Sequence, residues 1–317
     1  MISEYSIPLA QLSEKFHLKL LTPGVSLEGR EISNAEINRP ALQLAGYYAY
    51  FDPARVQIIG KVEYSYLTTF SREQRRRIYE RLFKTKISCL IFCRNLGDEL
   101  EPGIIETAEK CDTVLFGTDE TTISFTVNLI QYLSQELAPR TIIHGVMVDV
   151  FGEGVLIQGD SGLGKSETAL ELVQRGHRLV ADDVVEIRRV SDKELIAHGV
   201  ELLQNMIELR GVGVVNIKEL YGVQSVRLSK SVDMVVRLEA WTPEKQYDRI
   251  GLETATTGIL GNDVALYQLP IMAGRNVAMI IETAALNHRE KKMGYNAAEE
   301  LRDRVKETIK KRKEQKS

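Results

Sequence analysis

Residues 155–166 read Val155-Leu-Ile-Gln-Gly159-Asp160-Ser161-Gly162-Leu163-Gly164-Lys165-Ser166. From Gly159 to Ser166 they match G-x-x-x-x-G-K-S/T in full, with a strand-like run, Val155–Ile157, before the loop and a helix-like stretch, Glu167–Gln174, after it. That order of strand, glycine loop and helix gives the motif its chemistry. Glycines let successive N–H groups curl round an anion, and the helix N-terminus adds the positive end of its dipole. Lys165 can then reach the outer phosphates of a nucleotide, while the Ser166 hydroxyl can ligate Mg²⁺. The overlapping Gly159-Asp160-Ser161-Gly162 also resembles the nucleophile segment of a secreted serine protease. Such a chain is usually rich in disulfides, whereas this one has three cysteines in 317 residues. An Asn-Lys-x-Asp guanine-reading motif is missing, which disfavours a GTPase-type switch.

Upstream, Val146, Val148 and Val150 alternate with period two, and Gly152-Glu153-Gly154 is expected to turn the chain into the Val155 strand. His144 falls two residues before Val146, on the same face of the expected strand, where a hydrogen-bonded core histidine is the more ordinary reading. Downstream, Leu179-Val-Ala-Asp182-Asp183 is an apolar run ending in two acids. In a phosphate-loop enzyme, a carboxylate there can hold Mg²⁺ or take the proton of an attacking hydroxyl. If both acids stay on the strand they point to opposite faces and do different work, although an acidic strand end facing water fits equally well. Glu208 and Arg210, two apart, are co-facial if extended, and alone would read as surface charges. More β-rich sequence is expected at Val235–Leu238 and Val277–Ile281, and a closing helix from about Ala297 with Leu301, Val305 and Ile309 on one face.

The N-terminal part alternates strand and helix. Arg55–Ile59, Ile87–Cys93 and Thr113–Phe116 are short apolar runs of strand length. Ser71 and Gln74 form a capping box that starts a helix over Arg72–Phe83. A further helix, from Thr121 to about Leu137, is expected to end at Ala138-Pro139-Arg140, because proline disfavours helix in the residue before it. This predicts an α/β protein of two domains, residues 1–135 and 136–317. A 44% hydrophobic content excludes a disordered chain, and a formal net charge of −3 points to neither nucleic acid nor membrane as partner. The charge is uneven, since Arg289–Ser317 carries eleven Lys/Arg against six Asp/Glu. Cys89, Cys93 and Cys111 read as reduced thiols, the first two buried in an apolar run. The N-terminus lacks the pattern of a leader and no apolar stretch approaches the ~18 residues of a membrane span, so a cytoplasmic protein is expected.

Taken together, Ile143-His144-Gly145, Gly159–Thr168, Ala181-Asp182-Asp183 and Glu208-Leu-Arg-Gly-Val-Gly213 resemble the HPr kinase/phosphorylase family. Tyr247-Asp-Arg-Ile-Gly-Leu252, Pro270-Ile-Met-Ala-Gly-Arg-Asn276 and Met293-Gly-Tyr-Asn-Ala-Ala298 fit as well. The resemblance implies an N-terminal α/β domain of unassigned role and a C-terminal P-loop kinase domain, resembling phosphoenolpyruvate carboxykinase, with C-terminal helices. It implies a bifunctional enzyme of bacterial carbon catabolite regulation that acts on a regulatory serine of HPr, the phosphocarrier of the sugar phosphotransferase system. ATP and Mg²⁺ would serve phosphorylation; inorganic phosphate would serve the reverse reaction, which releases pyrophosphate. By the same resemblance Lys165 stabilises the transferring phosphate, Ser166 and Glu208 serve Mg²⁺, and Asp183 is the base, with His144 and Arg249 completing the site. Pro270, Ile271, Met272, Ala273, Gly274 and Arg275 would form a loop linked to dephosphorylation, although the family often has a basic residue and a proline where Met272-Ala273 stand here. A homohexamer is implied, with the basic C-terminal helix as a docking surface for HPr. The competing readings are a P-loop phosphotransferase acting on a small molecule and a nucleotide-sensing regulator without transfer activity.

Overall fold

Alternate residues of three short strands, Val56–Ile59, Leu90–Phe92 and Leu115–Gly117, point to opposite sides of one sheet and are buried on both. Ile58, Ile91 and Phe116 pack on one side with Phe125, Leu129 and Leu133 of the helix Thr122–Glu136. Ile59, Leu90, Phe92 and Leu115 pack on the other with Tyr79, Leu82 and Phe83 of the helix Arg72–Phe83 and with Ile104 and Ala108 of Pro102–Lys110. The sheet has five strands and is parallel except at the edge strand Lys19–Leu20. The capping box holds as expected: Gln74 N–H donates to Ser71 Oγ at 3.4 Å, and Ser71 N–H to Gln74 Oε1 at 2.9 Å. Cys89 and Cys93 are buried free thiols in this core, each pushed up by burial, to about 12 and about 11.

The computed structural model describes residues 5–242, 245, 255–272 and 274–314. It divides into two compact units, Met1–Pro139 and Arg140–Ser317. In the second, a six-stranded sheet runs in the order Arg178–Ala181, Val146–Val150, Glu153–Gly159, Met234–Ala240, Asn262–Ile271, Ala255–Ile259. Strands Glu153–Gly159, Met234–Ala240 and Asn262–Ile271 are parallel and in register, Gly159 beside Leu238 beside Leu269. One face of the sheet is covered by helices. Val148, Val155 and Ile157 meet Ala169, Leu172 and Val173 of the helix Lys165–Gln174 and Ala278, Ile281 and Ala285 of the helix Val277–Lys292. The other face, with Met147, Leu156 and Val235, packs on Val185, Ile187, Leu195 and Ala197 of a second, four-stranded sheet. Among the described residues, no helix is long and apolar enough to cross a membrane.

Three local expectations are corrected. Val277–Ile281 opens a helix rather than a strand: Asn276 Oδ1 caps it by accepting from Met279 N–H at 2.7 Å, and the buried positions, Ala278, Ile281 and Ala285, follow helical spacing. A five-residue apolar run carries too little periodicity to distinguish the two. The hairpin turns one residue earlier than expected, at Phe151 and Gly152, which both have positive φ (53° and 89°) as a two-residue turn of this hand requires. His144 does not share a strand with Val146. It ends Arg140–His144, a strand of the second sheet, and Gly145 lets the chain cross to the first, since a Cβ there would lie 2.6 Å from the Ile157 carbonyl oxygen.

Gly154 is the tighter constraint, because a Cβ would lie 1.8 Å from the carbonyl oxygen of Ser231. Gly154→Ala is expected to lower unfolding free energy by at least about 2 kcal/mol in urea titrations, through overpacking. Gly152→Ala meets open space and only the cost of its backbone conformation, about 1–2 kcal/mol. Equal losses in the two variants would contradict this account.

Candidate active site

The phosphate loop leaves the strand Glu153–Gly159 and enters the helix Lys165–Gln174 through Gly164, whose φ of 79° sharply redirects the backbone. The strand Arg178–Ala181 runs beside Val146–Val150 and brings its C-terminal end to the same edge of the sheet. The two acids that follow it leave the strand, so strand alternation does not govern them, yet they still turn opposite ways. Asp182 turns inward and is buried. Asp183 adopts left-handed backbone, φ 60°, and turns outward, with 66% of its side chain exposed.

Asp182 ties three segments together. Its Oδ1 accepts from Ser166 Oγ at 2.9 Å, and its Oδ2 accepts from the backbone N–H of Glu208 at 3.1 Å. The hydroxyl of the phosphate helix, the end of the neighbouring strand and the strand Met206–Leu209 are thereby fixed to one carboxylate. Burial pushes the Asp182 carboxyl above its usual range, against the opposing pull of the Glu208 amide and the Ser166 hydroxyl. Lys165 Nζ donates to the carbonyls of Gly159 and Asp160, at 2.8 and 3.1 Å. Arg210 Nη2 donates to Ser161 Oγ at 2.9 Å, bringing a guanidinium onto the loop. These groups surround a cavity of about 180 Å³ lined by Ser161, Lys165, Ser166, Asp182, Asp183 and Glu208, with Arg210 beside them.

At its mouth His144 Nδ1 lies 3.8 Å from Asp183 Oδ1. The pairing of Arg140–His144 with Val184–Ser191 creates this approach, with Val184 opposite His144 and Gly145 N–H donating to the Asp183 carbonyl at 3.1 Å. His144 is thus an exposed residue at a site rather than part of a core, with 83% of its side chain accessible. Pro270 and Ile271 end a strand in register with the one feeding the phosphate loop, so that their loop leaves the same edge of the sheet. Arg275 Nη1 closes that loop by donating to the Pro270 carbonyl at 3.1 Å, and none of its described residues lines the cavity. Arg249 and the rest of Tyr247–Leu252, together with Ala273, lie outside the described residues.

Two residues gain a role that their sequence did not reveal. Asp182 could have been singled out, because an acid at the end of a buried apolar run beside a phosphate loop suits a buried hydrogen-bond acceptor. The contact of Arg210 with Ser161 spans 49 positions and leaves no local signal.

The comparisons bear on the same segments. Residues 7–133 match the family model described as HPr Serine kinase N terminus, and 135–305 that of the HPr Serine kinase C-terminal domain. The chain belongs to the HPr kinase/phosphorylase family. It is 48% identical to the HPr kinase/phosphorylase of Lachnoclostridium phytofermentans, over 95% of this chain and 97% of that one. It is 47% identical to that of Caldicellulosiruptor bescii, over 94% and 95% of the two chains. A solved Hpr(Ser) kinase/phosphatase from Coxiella burnetii aligns at 30% identity with a TM-score of 0.45, covering 49% of this chain and 99% of its own.

A carboxyl whose folded-state pKa is raised holds its proton more tightly in the folded state, so stability falls as pH rises from the ordinary carboxylate range upward. Asp182→Asn removes that charge while its amide can still serve Ser166 and Glu208. The ligand-free variant is therefore expected to melt above the native protein at pH 8, with the gap closing toward pH 4, and to bind Mg²⁺-nucleotide more weakly. A lower melting temperature at pH 8 would contradict the assigned cost of the buried charge.

Proposed function

We propose that this chain is a cytoplasmic, ATP-dependent protein-serine kinase acting on HPr, and that the same site removes the phosphate with inorganic phosphate as acceptor, releasing pyrophosphate. The observation that carries the reading is the exposed pair Asp183 and His144 at the mouth of a cavity whose floor is a complete phosphate loop. A base at the rim suits a hydroxyl presented by another protein. The names and extent of the family's relatives support the same substrate.

The residues fit Mg²⁺-nucleotide: a hydroxyl and two carboxylates, from Ser166, Asp182 and Glu208, line one cavity with Lys165. Ser166 and Glu208 would hold Mg²⁺, which when bound would supply charge neutralisation at the transferring phosphate. Asp182 orients the Ser166 hydroxyl, and Lys165 turns from the loop carbonyls toward the outer phosphates. In the forward direction Asp183 takes the proton of the substrate serine as its oxygen bonds to the γ-phosphorus and the bond to the β-phosphate bridging oxygen breaks. In reverse, protonated Asp183 faces the phosphoserine, and an unprotonated oxygen of inorganic phosphate bonds to the phosphoserine phosphorus. The bond from phosphorus to the serine oxygen breaks, and Asp183 returns a proton to that oxygen. His144 lies close enough to orient Asp183, and Arg249 is assigned to the site by family resemblance. The loop from Pro270 to Arg275 would serve the reverse direction. The same resemblance supports a homohexamer.

The helix Ala297–Glu314 carries Leu301, Val305 and Ile309 along one face, all about half exposed, and ends in a basic run. This helix is the proposed docking surface for HPr. Neutralising Lys310, Lys311 and Arg312 together is expected to raise KM for HPr and flatten its salt dependence while leaving ATP binding unchanged. Unaltered kinetics toward HPr would remove the helix from the docking surface.

Incubation with HPr and Mg²⁺-ATP should yield phosphoserine, and phosphate without nucleotide should then erase it. Asp183→Asn is expected to slow both directions by about 10²–10⁴-fold with calorimetric ATP affinity retained. Lys165→Ala should lose affinity as well as rate, because the lysine meets phosphate in ground and transition states alike. Transfer to a small molecule with none to HPr, or an Asp183→Asn variant with an undiminished rate in either direction, would overturn the reading.

A further inference from the structure

The phosphate helix ends at Gln174, and through Arg175, Gly176 and His177 the chain enters the strand Arg178–Ala181. Beside this turn, at the other end of both elements from Ser166 and Asp182, lies a second cavity of about 320 Å³. Asp149, Phe151, Arg175, His177, Arg178 and Arg227 line it. It shares no lining residue with the phosphate cavity.

Three guanidinium groups here face a single lining carboxylate, and that carboxylate is committed. Asp149 is buried, with Oδ1 accepting from Gly152 N–H at 2.9 Å and Oδ2 from Arg227 Nη1 at 2.7 Å. Arg175 is held from behind the cavity by Glu171 and Glu282, at 3.0 and 3.1 Å. His177 is buried against Glu282, Nε2 to Oε1 2.9 Å, and the Phe151 ring packs edge-on over it at 4.6 Å. Arg175 thus has an ordinary explanation, as a cation complementing the C-terminal end of a helix dipole, and His177 has one as the buried partner of Glu282.

That explanation does not reach Arg178 or Arg227. Arg178 starts a strand, is exposed, and makes no side-chain hydrogen bond or ion pair among the described residues. Arg227 comes from a distant segment and uses Nε on the Ser229 carbonyl and Nη1 on Asp149. Like-charged planar groups gathered round a concavity repel one another unless an anion sits between them, and guanidinium forks match the paired oxygens of a phosphate. We propose that this cavity binds a small oxyanion of the phosphate class, inorganic phosphate or a phosphomonoester, with Arg178 as its principal contact. The volume, near the lower end of ligand pockets, admits such a group and its short carbon stem.

The full-length protein, its phosphate loop saturated with Mg²⁺ and an ATP analogue carrying a β,γ-imido bridge, is titrated calorimetrically with inorganic phosphate and, separately, with glycerol 3-phosphate. Binding at one site per chain in either arm is expected, with Arg178→Gln weakening it at least tenfold and leaving the melting temperature unchanged. The tighter arm identifies the source of the phosphate group. Should Arg178→Gln fail to fold, Arg178→Lys repeats the test, since it keeps the charge but loses the fork and should also bind more weakly. Absence of binding in both arms, or an affinity unchanged by the substitution, overturns the proposal. Neither result depends on whether the chain transfers phosphate to HPr.

Discussion

The hydrogen bond from Ser166 Oγ to the buried Asp182 carboxylate is the contact on which the site depends. A carboxylate removed from water costs free energy unless donors replace its hydration, and here a helix hydroxyl and a strand amide do so. The arrangement fixes where the phosphate helix begins relative to the sheet edge. Lys165 precedes the anchored serine by one residue, and its ammonium rests on the carbonyls of Gly159 and Asp160. Glu208 is positioned through its own backbone amide, which places its side chain at the cavity while its main chain serves Asp182. One buried carboxylate thus orders a hydroxyl and the backbone of a second acid before any ligand arrives.

The two-sheet architecture explains why adjacent acids behave so differently. Arg178–Ala181 belongs to the six-stranded sheet and Val184–Ser191 to the four-stranded one, so the chain must change sheets across Asp182 and Asp183. A left-handed residue at Asp183 makes the change within two positions. Aspartate tolerates that conformation better than most side chains. His144 sits at the matching crossover, where Gly145 passes from the second sheet back to the first. Both chain crossings lie side by side, and the exposed pair is their by-product. The two sheets demand the crossings in any case, so the exposed side chains of Asp183 and His144 at the cavity mouth need no further support.

Much of this was legible in the sequence where local chemistry decides. The phosphate loop, the capping box at Ser71 and the alternation of buried strands depend on near neighbours, and the structure contains each of them. Long-range geometry escaped. His144 seemed to continue the Val146 strand because periodicity does not register a change of sheet at a single glycine. The five apolar residues from Val277 suited a strand until Asn276 capped them as a helix. The acids at the end of the Leu179 run were visible as a pair. Which one turned inward depended on a donor from Ser166, sixteen residues away, and another from Glu208, twenty-six away. Family resemblance supplied roles for residues whose local context is bland, such as Glu208, and only the fold brings that residue to the loop.

An open site poses a chemical problem that the distribution of burial helps to resolve. Phosphoryl transfer to a hydroxyl competes with transfer to water, and water reaches Asp183 and His144 freely in the isolated chain. An enzyme for a small substrate generally solves this with a closing lid. A protein substrate can solve it by docking: its own surface covers the mouth, removes water from the rim and presents a serine to Asp183, one of the exposed acids beside the loop. On the proposed function, the floor of Lys165, Ser166 and Asp182 and the open rim of His144 and Asp183 would then divide the work. The floor would hold the phosphate chain whether or not a partner is present, and the rim would become a low-dielectric environment only in the complex. Reactivity would thereby be tied to occupancy by a docked protein. The same division also favours reversal, because a site that depends on its partner for closure treats a docked serine and a docked phosphoserine alike.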